Sequence, residues 1–315
     1  MNTFILIVLG QIVSLFGNAA LRFALPLYLL RQTGSAALYG GITALAMLPA
    51  LAGMLTGGAL ADRCRKARLM ALLDLVTAGI AAAAAAGLPH LSLLPLILTV
   101  LGSLYAIQGL YQPVVRACLP LLGAVLHRAG CGAAVSTAMA AVNLLEVPAL
   151  TVGVPVLVVQ TLQKSDASLG LVQAVLSAGG ILGGVLAGTV FVRHPIRSGT
   201  RLLLALSGVC AALGLALRVP TLQFGSILVL GAVFMAVAAL FNVWFFAQLQ
   251  VLVPQAQLGK TTACLSVLAC LTQPIGQAAY GSAFQHWAAH PADVLLAAGV
   301  LSALVLWLLQ TRRTV

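Results

Sequence analysis

Residues 222–250 read LQFGSILVLGAVFMAVAALFNVWFFAQLQ, and this stretch contains no charged side chain. A helix of this length, at about 1.5 Å per residue, exceeds the roughly 30 Å thickness of the hydrocarbon core of a bilayer. An apolar stretch of this kind is typical of a transmembrane helix. It indicates the fold class that the rest of the chain has to fit.

The composition of the whole chain agrees with this stretch. Of its 315 residues, 62% are hydrophobic and 7% are charged, and the mean hydropathy is +1.11. A soluble domain carries about 25% charged residues, and so few charges cannot cover a water-exposed surface. The apolar blocks also lack the period-two alternation of transmembrane β-strands. We therefore expect an all-α membrane protein, whose helices satisfy their own backbone hydrogen bonds.

Charged residues, glycine, proline and serine divide the chain into about ten apolar blocks. The first block has no Lys or Arg before Arg22 and is too long for the apolar core of a signal peptide, so we expect an uncleaved span. Residues 120–132 are either a surface helix or an extension of a neighbouring span. The predicted spans are 3–30, 36–61, 69–87, 91–119, 133–160, 166–192, 199–218, 222–250, 260–286 and 291–311.

Lys and Arg are distributed unevenly among the connections between these spans. Because cytoplasmic connections carry the excess of positive charge, the distribution predicts a multi-pass protein of the cell membrane with both termini in the cytoplasm. It also accounts for the net charge of +11 without a nucleic-acid partner. The side predicted to be outside holds Arg31, Lys164 and Arg218, and the cytoplasmic side holds Arg63, Arg65, Lys66, Arg68, Arg116, Arg128, Arg193, Arg197, Arg201, Lys260, Arg312 and Arg313.

The sequence contains none of several common metal-binding, nucleotide-binding and catalytic motifs. The six cysteines show no C-x-x-C spacing, so we expect apolar packing residues and neither a metal nor a cofactor. There is no nucleotide-binding G-x-x-x-x-G-K-[ST] loop, no H-E-x-x-H and no G-x-S-x-G. We therefore expect that the protein is not an enzyme and is not by itself an ATP-driven pump.

Two segments of the chain resemble each other. Gly57-Gly58-Ala59-Leu60-Ala61-Asp62 and Gly183-Gly184-Val185-Leu186-Ala187-Gly188 each end an apolar span before a basic loop. Span 6 is then the counterpart of span 2, as in transporters built from parallel repeats. The first half would have four spans and the second half six. The alternative is a chance match, because Gly and Ala are common in membrane spans.

The loop after the second span carries a family resemblance. Residues 58–68, GALADRCRKAR, resemble the G-x-L-x-D-R-x-G-R-R signature between helices 2 and 3 of the major facilitator superfamily. Arg65 replaces the second glycine of that signature and Ala67 replaces a basic residue. Residues 111–120 and 147–158 are similar to segments of its drug-efflux and siderophore-export branch. The residues that match the signature are Gly58, Leu60, Asp62, Arg63 and Lys66, with Arg68 following.

The resemblance implies two six-helix halves, with residues 111–120 ending helix 4 and residues 147–158 in helix 7. Because so short a stretch separates these segments, it also implies that the family's helices 5 and 6 are absent. We predict an N-terminal half at 1–120 with spans 1–4, a cytoplasmic connection at 121–132, and a C-terminal half at 133–315 with spans 5–10. A natural deletion, a truncated gene product and a sequence error remain open.

The same resemblance implies a gating role for the loop. Asp62 would face the start of span 9 near residues 259–262 and lock the inner gate, while Gly58 lets helices approach closely. Asp74 on span 3 would steady Arg63 and the basic residues Lys66 and Arg68. The alternative is a plain positive-inside loop in which Asp62 caps a helix.

Glu146 lies close to the midpoint of span 5, on the same face as Asn143. Because burial disfavours a charged carboxylate, we expect it to be protonatable near neutral pH, as proton coupling requires. We predict that Glu146 binds substrate or carries the coupled proton, with Arg22 as a candidate partner. The alternatives are a structural hydrogen bond for Glu146 and snorkelling of Arg22 to the outer interface.

Polar residues on spans 1, 4, 5 and 8 form the predicted cavity. The superfamily lines its cavity from the first and fourth helices of each half, and these four spans have those positions in the four-plus-six count. A cavity of mixed apolar and amide character suits a small amphipathic organic compound. The candidate substrate or coupling residues are Asn18, Arg22, Tyr105, Gln108, Gln112, Asn143, Glu146, Asn242 and Gln248.

The expected function is secondary active transport by alternating access, with proton-coupled efflux of a small amphipathic organic compound. The expected partners are this substrate and the lipid bilayer around the helices. One alternative is a non-transporting or defunct truncated transporter with a scaffold or regulatory role. In that case a partner chain or self-association would cover the missing helix pair. Another alternative is a ten-span transporter of the drug/metabolite type, which the repeat offset disfavours.

Overall fold

The computed structural model describes residues 21–63, 66–87, 92–110, 142–193, 199–253 and 255–311. Only the backbone is described for residues 54–63, 66–71, 74, 190–193, 252, 255–264, 266–270 and 309–311. Within these ranges the regular structure is helical and contains no strand. The helices are α1 at 21–33, α2 Ala36–Arg63, α3 Lys66–Gly87, α4 Leu93–Leu110, α5 Val142–Thr161, α6 Asp166–Arg193, α7 Gly199–Ala216, α8 Gln223–Leu252, α9 Gln255–His286 and α10 Pro291–Thr311.

Seven of these helices are long and apolar enough to cross a membrane, as judged over the described residues: α2, α4, α5, α6, α7, α8 and α10. In α3 the apolar stretch is the shorter Leu75–Gly87, and α9 is interrupted by Gln, Thr and Lys side chains. The prediction of an all-α protein with several membrane-compatible helices is therefore confirmed. The count of ten crossings and the orientation of the termini stay predictions.

The ends of the helices differ slightly from the predicted spans. Helix α1 continues to residue 33, where Gly34 takes a left-handed conformation with φ of +63° and ends it. Glycine has no Cβ to oppose this conformation, which commonly closes a helix. Helix α9 begins at Gln255, five residues before the predicted start at residue 260. The prediction was late because the first turns of this helix are polar and were therefore assigned to the connection.

Helix α5 is the most deeply buried of the seven. Of its residues 72% are buried, against 28–44% in the other six membrane-length helices. Its valines and leucines pack with α6, α7, α9 and α10 into the largest apolar core among the described residues. A polar side chain on a buried face of α5 is thus surrounded by protein.

The same helix contact recurs in both parts of the chain. Gly53 on α2 approaches α4 so closely that a side chain there would collide with the Ala106 carbonyl oxygen. Gly179 on α6 meets the Ala232 carbonyl oxygen of α8 in the same way. The glycine and its partner are both shifted by 126 residues between the two contacts. This shift is also the one that aligns Gly57 with Gly183 in the sequence.

Helix α2 also packs against α9. This contact joins the first four helices to the last six. A side chain on Gly40 would collide with the backbone of Gln277 and Gly281 on α9. On α6, which matches α2 in the repeat, none of the described helices covers the corresponding face, which we call the open face of α6. A Cβ atom added to any of three glycines on this face would have no described atom within 4 Å: Gly180, Gly184 and Gly188.

Several connections meet at one end of the bundle. Arg31, near the end of α1, donates to the Lys164 carbonyl oxygen in the α5–α6 connection at 2.9 Å. Arg218, after α7, forms an ion pair with Asp293 at the start of α10 at 2.7 Å. A cavity of about 490 Å³ lies between the α5–α6, α7–α8 and α9–α10 connections. Because the charge distribution predicts that these connections face outward, we call this end the predicted outer end.

Candidate functional site

Glu146 is the last residue of a widened, π-helical turn at the start of α5, Val142–Glu146. The cause follows two residues later, because Pro148 has no N–H to donate to the carbonyl of residue 144 and its ring crowds that carbonyl. Turns of this kind often occur at functional sites in helices. Gly276 on α9 packs here, and a side chain on it would collide with the Leu144 carbonyl oxygen and the Pro148 ring.

The carboxyl group of Glu146 is completely buried, with 0% exposure. The hydroxyls of Ser207 on α7 and Ser302 on α10 both donate to its Oε1 atom, each at 2.6 Å. Its Oε2 atom makes no hydrogen bond within the described part of the chain. We call Glu146, Ser207 and Ser302 the carboxyl cluster.

Glycines on α7 and α10 allow the two serines to reach one carboxyl oxygen. A side chain on Gly299 of α10 would collide with the backbone of Ser207 and Ala211 on α7. Gly214, farther along α7, lies equally close to the Leu296 backbone of α10. These close approaches bring α7 and α10 together against the π-helical turn of α5.

The charge of the carboxyl cluster has no counter-ion among the described residues. The two ion pairs there are Arg31–Asp166 and Arg218–Asp293, both at the predicted outer end. An unpaired buried carboxylate costs several kcal/mol, whereas a neutral carboxyl group does not carry that cost. The site is therefore suited to a group that gains and loses a proton.

A second polar acceptor lies on α9, which packs against the π-helical turn. Gln277 is 7% exposed, and its Oε1 atom has no hydrogen-bond donor among the described residues. The backbone of Gln277 lies against Gly40 of α2. Tyr280, one turn farther on, is buried in the same core.

The second polar cluster joins α1 to α4. The Arg22 guanidinium donates to the Gln108 side-chain oxygen and lies 5.5 Å from the centre of the Tyr105 ring. A cation over an aromatic ring is attracted by the negative face of that ring. All three side chains are half-buried, and we call them the arginine cluster. The structure thus brings three of the predicted site residues together, but it does not pair Arg22 with Glu146.

The other predicted site residues are less closely grouped. Asn143 is half-buried in the π-helical turn. Asn242 and Gln248 are exposed on α8, and the Asn242 amide donates to the Ala238 carbonyl oxygen at 3.0 Å. Asn18 and Gln112 lie outside the described residues. Only the backbone is described for the predicted gating residues, which are Gly58, Asp62, Arg63, Lys66, Arg68 and Asp74.

Sequence reasoning missed Ser207 and Ser302. Each is a single hydroxyl in the middle of an apolar span, and such serines are common in membrane helices because they are small. What the sequence did show is that Ser207 and Ser302 lie near the midpoints of their predicted spans, as Glu146 does in span 5. Depth alone does not show which faces of three separate helices meet.

Groups of three or more His, Cys, Asp or Glu side chains that would hold a metal do not occur in the described ranges. The absence of a metal or cofactor stays a prediction. No protein-family model matches the chain, and no curated protein matches it. The resemblance to the major facilitator superfamily therefore rests on the sequence motif.

Proposed function

We propose that this chain is a secondary active transporter of the cell membrane that exports a small amphipathic organic compound in exchange for protons. The observation that carries the proposal is the carboxyl cluster. A fully buried Glu146 receives two hydroxyl donors on one oxygen and, among the described residues, none on the other, at the junction of three membrane-length helices. Its protonation state can therefore control how these helices pack.

Proton loss changes what the carboxyl cluster requires. The neutral carboxyl fits the apolar core of α5, α7 and α10, while the anion needs a donor or a cation at Oε2. Burying an uncompensated charge costs several kcal/mol, and about 5.5 kcal/mol reverses a two-state population from 1:99 to 99:1. Deprotonation is thus strong enough to favour a second arrangement of the helices, in which water or substrate reaches Oε2.

Two features support assignment to the major facilitator superfamily. The motif at residues 58–68 covers the end of α2 and the start of α3. The α2–α4 and α6–α8 contacts repeat with one shift in residue number. The α2–α9 contact joins the proposed four-helix and six-helix halves. In this scheme the arginine cluster and the carboxyl cluster belong to opposite halves, and the substrate would bind between them. The termini would be cytoplasmic, with the loop around Asp62 gating the inner side.

Dye efflux from bacterial cells expressing the chain tests the proposal. We expect energised cells to export at least one dye of a fluorescent amphipathic panel, and Glu146→Gln to reduce export to the background of cells without the protein. The matched control is Asp293→Asn, because Asp293 is an exposed carboxylate at the predicted outer end. Export that is equal in wild type and Glu146→Gln would contradict the role of Glu146.

A non-transporting role is the second candidate, and the open face of α6 favours it. The matching helix α2 is covered by α9, which is the fifth helix of the second half. The four-plus-six arrangement gives the first half no fifth helix, and none of the described helices covers α6 in the equivalent way. A partner chain or a second copy would then supply the missing helix, and the protein would have a scaffold or regulatory role. Well-inserted protein that exports no dye of the panel would favour this candidate.

A further inference from the structure

Polar contacts at the predicted outer end tie the first four helices to the last six. The Arg31 guanidinium donates to Asp166 Oδ1 at 2.5 Å and to the Lys164 carbonyl oxygen at 2.9 Å. Both acceptors belong to the α5–α6 connection or the first turn of α6, whereas Arg31 is on α1. One side chain from the first half is therefore held by two groups of the second half.

Gly34 supplies a second contact of this kind. Its left-handed conformation, with φ of +63°, ends α1, and its carbonyl oxygen accepts a hydrogen bond from the Gln160 amide of α5 at 2.6 Å. The Gln160 backbone carbonyl in turn accepts from Gln163 at 2.7 Å. Gln163 is itself left-handed, with φ of 50°, a conformation that is uncommon for residues other than glycine. The α1–α2 connection and the α5–α6 connection thus each contain a left-handed residue close to the place where they contact each other.

A third contact lies at the start of α2. The Ala36 backbone N–H has no acceptor within its own helix, because it belongs to the first turn. It donates instead to the Gln285 side-chain oxygen of α9 at 2.9 Å. Ala36 is 0% exposed, since α9 covers it.

We propose that these contacts, centred on Arg31 and Asp166, form a latch that holds the predicted outer end closed and breaks when that end opens. The proposal rests on the proposed transport function, because alternating access requires the two halves to separate at each end in turn. The strength of the latch suits this role. Arg31 and Asp166 have side-chain exposures of 34% and 66%, and exposed ion pairs stabilise only weakly, so the latch can open repeatedly.

The second ion pair at this end provides a matched control. Arg218 and Asp293 are 53% and 51% exposed and 2.7 Å apart, but both belong to the last six helices. Breaking this pair removes an exposed charge contact without untying the two halves. A difference between the two pairs therefore reports on the latch and not on general loosening.

Cysteine labelling in sealed, right-side-out vesicles tests the latch without a transport substrate. The reporter is Ala36→Cys, read with a membrane-impermeant maleimide against the background of the native cysteines. We expect Arg31→Gln to raise the labelling rate about two- to fivefold, the range that the loss of an exposed ion pair allows. Arg218→Gln should leave the rate unchanged. Arg31→Asp combined with Asp166→Arg should restore slow labelling.

The outcomes separate the latch from the transport proposal. Equal labelling rates in Arg31→Gln and its parent, or an equal rise in Arg218→Gln, would overturn the latch whatever the dye assay shows. Dye export that is absent while Arg31→Gln still opens the reporter would retain the latch as a contact between the halves and refute transport of those dyes. The proposal predicts faster labelling in Arg31→Gln alone.

Discussion

The two polar clusters of the molecule differ in burial and in charge compensation. In the carboxyl cluster, Glu146 is fully buried, and its hydrogen bonds come from neutral hydroxyls on α7 and α10. In the arginine cluster, Arg22 is half-buried against an amide oxygen and an aromatic ring of α4. The long side chain of arginine can also extend towards the interface, which a buried glutamate cannot do.

In the proposed function, this difference would separate a proton site from a binding site. The guanidinium of Arg22 gives the arginine cluster a positive charge. In the proposed function the carboxyl cluster would gain or lose charge with a proton, and its burial would make that change alter helix packing. Coupling between the two clusters would have to pass through the helices, because the structure shows no ion pair between Arg22 and Glu146.

The largest effect is expected from a substitution that disrupts the packing of α7 and α10 around the carboxyl cluster. Gly299→Leu places a side chain against the backbone of Ser207 and Ala211. Overpacking of this kind costs about 1–3 kcal/mol and occasionally more, so we expect a lower unfolding temperature and loss of dye export. The measurement is thermal unfolding of the purified protein in detergent.

Gly208→Leu is the control for that substitution. Gly208 is adjacent to Ser207 on α7 but has no described atom within 4 Å of the position that a Cβ atom would take. We expect it to leave the unfolding temperature nearly unchanged. Equal losses in Gly208→Leu and Gly299→Leu would show that α7 and α10 are not closely packed around Ser207.

A smaller effect is expected from removing one hydroxyl donor. Ser207→Ala and Ser302→Ala each leave Glu146 Oε1 with a single donor, which should cost about 0.5–2 kcal/mol of unfolding free energy. The control is Ser282→Ala on the exposed side of α9. Because both serines contact the same atom, the double variant should be non-additive. Additive losses in chemical unfolding would argue against the shared oxygen.

The smallest effect on stability is expected at the arginine cluster. Arg22→Lys keeps the charge but loses the planar guanidinium that contacts both Gln108 and Tyr105. Since the cluster is half-buried, we expect a loss of about 1 kcal/mol or less, together with weaker binding of an exported dye. Fluorescence titration of purified protein measures the binding. A loss of stability as large as that of Gly299→Leu would remove the contrast between the two clusters.

Much of the fold follows from composition and spacing. Long apolar blocks between charged connections predicted the helices, and Glu146 and Arg22 both lie within helices, α5 and α1, as expected. The shift that aligns Gly57 with Gly183 also predicted which helices match. These features are local or periodic in the sequence, so they can be predicted from one sequence alone.

The assembly of the carboxyl cluster could not be predicted in this way. It depends on the rotation of α7 and α10 about their axes, which two glycine contacts determine and which no periodic pattern encodes in a helix that is apolar all round. The π-helical turn before Pro148 also moves Glu146 away from the direction that regular helical spacing gives. The sequence therefore identified the carboxylate but not its two donors.

The most direct test of proton coupling through Glu146 is dye transport into proteoliposomes that contain only this chain, driven by an imposed pH gradient. We expect gradient-driven accumulation of an exported dye with wild-type protein. We expect none with Glu146→Gln, although dye-for-dye exchange without a gradient should persist in that variant. Equal gradient-driven accumulation in both proteins, or none in either with folded protein in the vesicles, would contradict proton coupling through Glu146.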